Sequence, residues 1–279
     1  MSVRRAPQTL ECAGQEGRLE FVEVSIEGGI TTVTLNRPEV MNAINPRMHH
    51  ELQATFDRFA ADPAQRVCVV TGAGDRAFCA GSDLKAASIA AAAGQAPAHY
   101  PASGYAGLIE RFDLDKPIIA AVNGLALGGG FEIVLACDIV IASSTASFGL
   151  PEPRVGAVAL GGGVHRLARQ IGLKPAMGML LACQRIAAYE ALKLGLVNEV
   201  VAPDQLQAAA MRWCAEILKA APAALRATKQ AALRGLEEPS LQAALTAQTG
   251  YPAWKAWRES DDPIEGPRAF AEKRAPNWS

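Results

Sequence analysis

The sequence predicts an α/β core reaching to about residue 200, followed by a helical C-terminal section. Two observations carry this reading. Short continuous apolar runs, Val67-Cys-Val-Val70, Pro117–Asn123 and Asp138-Ile-Val-Ile-Ala142, have the length and composition of strands buried on both faces. From Pro203 onward the pattern turns helical, with prolines and glycines dividing Asp204–Ala220, Pro222–Gly235 and Pro239–Gly250.

Taken in order, residues 1–17 are polar and aperiodic and read as a loose tail before the core of 18–200. Leu19–Ile26 and Ile30–Leu35 alternate around Gly28-Gly29, which predicts a hairpin with a primed turn. Asn45-Pro46 opens a helix, with asparagine as the cap and proline in the first turn, and Met48, Leu52, Phe56 and Phe59 continue at helical spacing. His49 and His50 on that helix read as solvated. After Val67–Val70 comes a glycine-broken loop from Thr71 to Asp83. Lys85–Gly104 is rich in Ala, Gly and Pro, partly helical at best, and the expected mobile stretch. Pro117–Asn123 then feeds through Gly124 into Gly128-Gly129-Gly130, after which Phe131, Val134 and Leu135 fall at helical spacing with Glu132 in the first turn. Ser147–Glu152 reads as extended, Gly161-Gly162-Gly163 opens a helix that Gly172 closes, Lys174–Cys183 makes another, and Glu199–Val201 is a last strand. The tail Gly266–Arg274 reads as a short terminal helix, and 201–279 as the helical section.

Composition excludes several classes. Across 279 residues the net charge is −1 and basic residues are scattered, leaving no stripe for nucleic acid or an anionic membrane. The N-terminus lacks a signal-peptide apolar region, and Ile118–Phe131 is too short to span a bilayer. Six cysteines without CxxC spacing fit a reducing, cytoplasmic compartment. No HExxH and no Cys/His cluster suggests a metal. Gly72-Ala-Gly74-Asp-Arg-Ala77 matches a dinucleotide fingerprint literally, but no helix follows and no acid stands about twenty residues on, so it reads as an ordinary glycine loop. P-loop and nucleophile-elbow motifs are absent. Asp83 and Asp138 stand at element ends, where carboxylates cap backbone N–H groups.

Two carboxylates stand apart from this background. Glu132 and Glu152 each sit alone in an apolar, Gly/Pro-rich setting, twenty positions apart with one strand between them. A bare glycine backbone at a helix start presents unpaired N–H groups at the positive end of the dipole, suited to an anion or a developing oxyanion. An acid beside that spot is placed for proton chemistry, and two acids in a dry site can hold different protonation states.

The ordered motifs Leu35-Asn-Arg-Pro38 with Asn42-Ala43, Ala77-Phe-Cys-Ala-Gly-Ser-Asp-Leu84, Lys116–Glu132, Cys137-Asp138, Phe148-Gly-Leu-Pro-Glu152 and Gly161–Leu167 resemble those of the enoyl-CoA hydratase/isomerase (crotonase) superfamily, from about Leu19 to Trp278. The resemblance implies a spiral of ββα units with a helical C-terminal trimerisation section, assembled as a homotrimer or a hexamer built as a dimer of trimers. It implies an acyl-CoA substrate, with coenzyme A part of that substrate and no separate cofactor. Carried over by position, the backbone N–H groups of Ser82 and Gly129 form the oxyanion hole, and Glu132 and Glu152 add water syn across a trans-2-enoyl-CoA, or remove it. Glu132 acts on the water and Glu152 delivers the α-proton. Lys85 and Lys273 are placed to meet CoA phosphates. Ala159-Leu160 departs from the Pro-Gly pair common in hydratases and implies a narrower pocket or a displaced water beside the second glutamate. Isomerase, hydrolase or lyase chemistry would use the same hole, whereas a non-catalytic RNA-binding homologue would need the basic stripe this chain lacks.

Overall fold

A computed structural model of the chain describes residues 11–12, 15–16, 19–94, 96 and 99–278. The expected loose tail falls mostly outside them; within it, Glu11–Cys12 pairs antiparallel with Gln15–Glu16.

The first long elements are β1 (Val22–Glu27) and β2 (Ile30–Leu35), with Glu27 opposite Ile30. The intervening Gly28 and Gly29 have φ of +56° and +83°, the pair of left-handed conformations that a two-residue primed turn demands. Helix α1 (Pro46–Ala61) starts where the Asn45 side chain accepts the Met48 N–H at 2.8 Å. Its Met48, Leu52, Phe56 and Phe59 are buried in one cluster with Val33, Leu35 and Val70.

Three strands then lie parallel: β3 (Val67–Gly72), β5 (Ile118–Val122) and β7 (Ile139–Ser143). With β1, β2 and β10 (Glu199–Val201) they form a six-stranded sheet of order β10-β7-β5-β3-β2-β1. Helix α7 (Leu206–Leu218) covers the face opposite α1, setting Leu206, Ala209, Ala210 and Cys214 against Val67, Val69, Ile119, Ala121 and Ile141. Burial from both sides explains why these strands read as unbroken apolar runs.

A second sheet, of order β9-β8-β6-β4, contains β4 (Ala77–Cys79), β6 (Leu125–Leu127), β8 (Ser147–Gly149) and β9 (Ile186–Ala187). Each central strand of the large sheet therefore continues into a strand of the small one. The first two of these pairs lead into helices, α2 (Leu84–Ala92) and α3 (Gly129–Ala136), and the third into a 3-10 turn at Glu152–Val155. This is the ββα spiral that the resemblance implies. Helices α4 (Gly163–Ile171), α5 (Leu173–Leu181) and α6 (Ala188–Lys193) complete the core.

Beyond α7 come α8 (Pro222–Gly235), α9 (Leu241–Ala247), α10 (Pro252–Glu259) and α11 (Asp262–Ala271). Helix α8 is tied to the core by Lys229, whose Nζ donates to Asp138 Oδ2 at 2.7 Å and to the Lys116 carbonyl at 2.8 Å. Among the described residues no helix is long and apolar enough to cross a membrane, and no group of His, Cys, Asp or Glu is arranged to hold a metal.

Candidate active site

The site is built where strands of the large sheet cross into the small one. At the end of β5, Asn123 clamps the glycine loop of residues 72–77: its Oδ1 accepts from Gly72 N–H at 3.1 Å and its Nδ2 donates to the Gly74 carbonyl at 2.9 Å. The literal dinucleotide fingerprint is thus an ordinary loop leading into β4.

The three consecutive glycines each meet a different demand. Gly128 has φ +54°, a left-handed turn that re-aims the chain into α3. A Cβ on Gly129 would fall 2.3 Å from Cζ of Tyr105, and one on Gly130 would fall 2.1 Å from the Cys79 carbonyl. Neither position admits a side chain.

The Gly81–Ser82 loop closes against this helix start, since a Cβ on Gly81 would lie 3.2 Å from Gly129 N. Ile44 brackets the loop, donating to the Gly81 carbonyl and accepting from Asp83 N–H, and Ser82 N–H makes no backbone hydrogen bond among the described residues. In α3 both Phe131 and Glu132 donate to the Gly128 carbonyl, so Gly129 N–H precedes the first intrahelical bond. Two backbone donors from separate elements are thereby brought side by side. Asp83 anchors the arrangement, capping α2 at Ala86 N–H and pairing with Arg37 at 3.0 Å.

The two carboxylates converge on the same place. Glu132 is only 4% exposed, and Oε1 accepts from Gly163 N–H at 2.9 Å. A Cβ on Gly161 would stand 2.3 Å from Glu132 Oε2, so this glycine triplet is what lets the loop close over the acid. Burial pushes the Glu132 carboxyl up to about 7 against the pull of Gly163 N–H, and the neighbouring Glu152 charge adds to the rise. Glu152, opening the 3-10 turn after β8, directs Oε1 at Gly128, where an added Cβ would lie 3.0 Å away. Its Oε2 is buried without a hydrogen-bond partner among the described residues, and burial raises this carboxyl too. A buried carboxylate oxygen left open is a group held ready for a ligand's proton.

The structure thus gathers Ser82, Gly129, Glu132 and Glu152. Lys85, on the first turn of α2, and Lys273, just beyond α11, are both exposed side chains. Leu160 is 76% exposed, while Ala159 is the buried neighbour. Ala159 and Leu150 help line an apolar cavity of about 350 Å³ between α4, α5 and the 150–159 loop, which neither carboxylate lines.

Two residues are not visible in the sequence pattern. His49 is not solvated but 5% exposed, its Nδ1 accepting from Ala106 N–H at 2.9 Å; only His50 faces out. Tyr105, from a stretch without periodicity, lies across Gly129 and accepts a hydrogen bond from Ser82 Oγ at 3.3 Å. No local signal marks either, because their partners lie tens of residues away.

The profile of the family described as enoyl-CoA hydratase/isomerase matches residues 25–279. A carnitinyl-CoA dehydratase of Proteus mirabilis is 43% identical over 268 residues, covering 93% of this chain and 98% of that protein. The carnitinyl-CoA dehydratase of Escherichia coli K12 is 42% identical over 264 residues with the same coverage. Among solved structures, an enoyl-CoA hydratase from Mycobacterium tuberculosis superimposes with a TM-score of 0.84 at 34% identity, covering 93% of this chain and 98% of that one. Sequence motifs, ββα spiral and relatives agree: the chain belongs to the enoyl-CoA hydratase/isomerase family and is a hydro-lyase.

Proposed function

We propose that the chain catalyses reversible loss and addition of water across the Cα–Cβ bond of a CoA thioester, with Glu132 and Glu152 as the acid–base pair. The observation that carries this reading is a pair of buried carboxylates close enough for the charge of one to act on the other, Glu152 against Gly128 and Glu132 in the first turn of the helix that follows it, the latter pushed up to about 7.

The thioester carbonyl sits between Ser82 N–H and Gly129 N–H. In dehydration the Glu152 carboxylate takes the α-proton, and charge moves onto the carbonyl oxygen, where each preorganised donor contributes about 3 kcal/mol. Glu132, protonated, gives its proton to the departing β-hydroxyl, which leaves as water. In hydration the roles run backward: Glu132 takes a proton from water as it attacks the β-carbon, and Glu152 returns the α-proton. Glu132 near 7 suits this cycle, because at neutral pH it is both an available acid and a competent base.

Lys85 and Lys273 then offer charge for the CoA phosphates, Lys273 from a neighbouring subunit. The relatives' names make carnitinyl-CoA the first thioester to try. The test is a panel of 3-hydroxyacyl-CoA and trans-2-enoyl-CoA substrates, followed by the conjugated enoyl absorbance. Glu132→Gln and Glu152→Gln are each expected to lose roughly 10²–10⁴-fold in turnover. Near-wild-type turnover in either variant overturns the two-carboxylate assignment.

A further inference from the structure

Tyr105 is the group at this site that the two-donor, two-acid arrangement leaves unexplained. Its side chain is 4% exposed, and its hydroxyl lies 2.5 Å from where a Cβ on Gly129 would be and 3.3 Å from Ser82 Oγ. The phenol oxygen therefore packs against both of the residues whose N–H groups form the hole. In that contact Ser82 donates and Tyr105 accepts, so the phenol's own proton is not used on Ser82, and it has no acceptor among the described residues. A phenylalanine would fill the same space. The hydroxyl, buried at the point where negative charge develops, is what needs a reason.

The backbone that carries Tyr105 is held in an unfavourable shape. Gly104, Ala106 and Gly107 have φ of +73°, +54° and +61°, and at Ala106 that conformation is strained for a residue with a Cβ. Two contacts on α1 impose it. Ala106 N–H donates to His49 Nδ1 at 2.9 Å, and Gly107 packs so closely on Gln53 that a Cβ would meet its Cα at 2.4 Å. The His49 ring also meets the Tyr105 ring edge-on, with centroids 4.6 Å apart. Burial lowers His49 to about 4, with the His50 charge acting in the same direction, so Nδ1 remains an acceptor at neutral pH. Burial also raises the Tyr105 phenol well above its usual value, with the neighbouring Cys79 adding to it, which keeps the phenol a donor and not a phenolate. Strain maintained by a buried, neutral histidine is what a positioned functional group requires.

We propose that the Tyr105 hydroxyl is a third hydrogen-bond donor to the thioester oxygen, completing the oxyanion hole formed by Ser82 and Gly129. The inference rests on the acyl-CoA reading above. Tyr105 donates without giving up its proton, so it stabilises the enolate oxygen while the glutamates carry the proton traffic.

Two readouts test it. The first is Tyr105→Phe, expected to lower kcat/KM by roughly 10–10³-fold, mainly through kcat, because one preorganised donor is lost. The second is the absorbance of bound 4-dimethylaminocinnamoyl-CoA, which moves to the red as its carbonyl is polarised. Wild type should show the shift, and Tyr105→Phe should show less of it. If Tyr105→Phe equals wild type in both shift and turnover, the third-donor proposal is overturned and the acyl-CoA reading stands. If wild type itself neither shifts the probe nor turns over any thioester of the panel, the acyl-CoA reading fails and takes this one with it. Should Tyr105→Phe not fold, 3-fluorotyrosine at position 105, a stronger donor, should enlarge the red shift, and an unchanged shift overturns the proposal.

Discussion

At the scale of single residues, Glu132 links stability to pH. Its folded-state value is about 7 against an ordinary 4.5, so the native state holds this proton more tightly than the unfolded chain does. The resulting stability is fully present below pH 4.5 and is lost as pH rises through 7, at a cost on the order of 1–3 kcal/mol. Glu132→Gln keeps an oxygen for Gly163 N–H and removes the charge. It should raise the urea midpoint at pH 8 and leave it nearly unchanged at pH 4. On the proposed mechanism the same proton governs activity. Dehydration needs Glu132 protonated and Glu152 ionised, while hydration needs the reverse distribution of one proton over the same two groups. Both directions therefore require the singly protonated pair, and kcat/KM should follow a bell in pH whose alkaline limb falls near 7 in either direction. A flat profile from pH 5 to 9 contradicts the shared-proton account.

At the scale of elements, the glycine runs do separable work. Gly130 lies against backbone: a Cβ there would stand 2.1 Å from the Cys79 carbonyl, which belongs to β4 and cannot swing aside. Gly130→Ala should lower stability by about 3 kcal/mol or abolish folding, read from thermal or urea unfolding. Gly161 meets a side chain instead, since a methyl group on its backbone would stand 2.3 Å from the Glu132 carboxylate. Gly161→Ala should fold near-normally and displace the acid, lowering kcat by roughly 10²-fold, since a misplacement of about 1 Å costs that much. Asn45, Asp83 and Asp138 play the structural parts expected of polar residues at element ends. Asp138, for instance, accepts from Ile118 N–H at 2.8 Å and pairs with Lys229 of α8.

At the scale of the molecule, the helical section leaves large apolar side chains uncovered. Leu233, Leu236, Leu241, Leu245, Ile264 and Phe270 are all more than half exposed. Such density on α8, α9 and α11 is what a subunit interface would cover, in keeping with the trimer that the resemblance implies. Light scattering should return a mass about three or six times the 29.3 kDa of one chain. A Leu236→Glu, Phe270→Glu variant should shift it toward one. A wild-type mass of one chain contradicts the proposed assembly. How the two sheets share strands also belongs to this scale. Because β5 continues directly into β6, and β6 into α3, the helix start with its bare N–H is placed by the large sheet's register and not by the loop alone.

The sequence by itself determined the α/β core, the hairpin turn and the caps, and its ordered motifs marked out Ser82, Gly129, Glu132 and Glu152. Each of those sits within a contiguous motif or an apolar run whose spacing reports burial. Three things were decided only by the tertiary structure. Leu160 faces solvent and Ala159 is buried, a difference that one step along a loop does not announce. His49 looks like a surface position beside His50, yet its partner is Ala106, 57 residues on. Tyr105 lies in a segment with no period, and its meaning comes from Gly129 and Ser82, which approach it from two other elements. Periodicity and motif report what a residue's chain neighbours share. A hydroxyl brought to an oxyanion hole across three elements is specified by packing, and only the folded chain displays it.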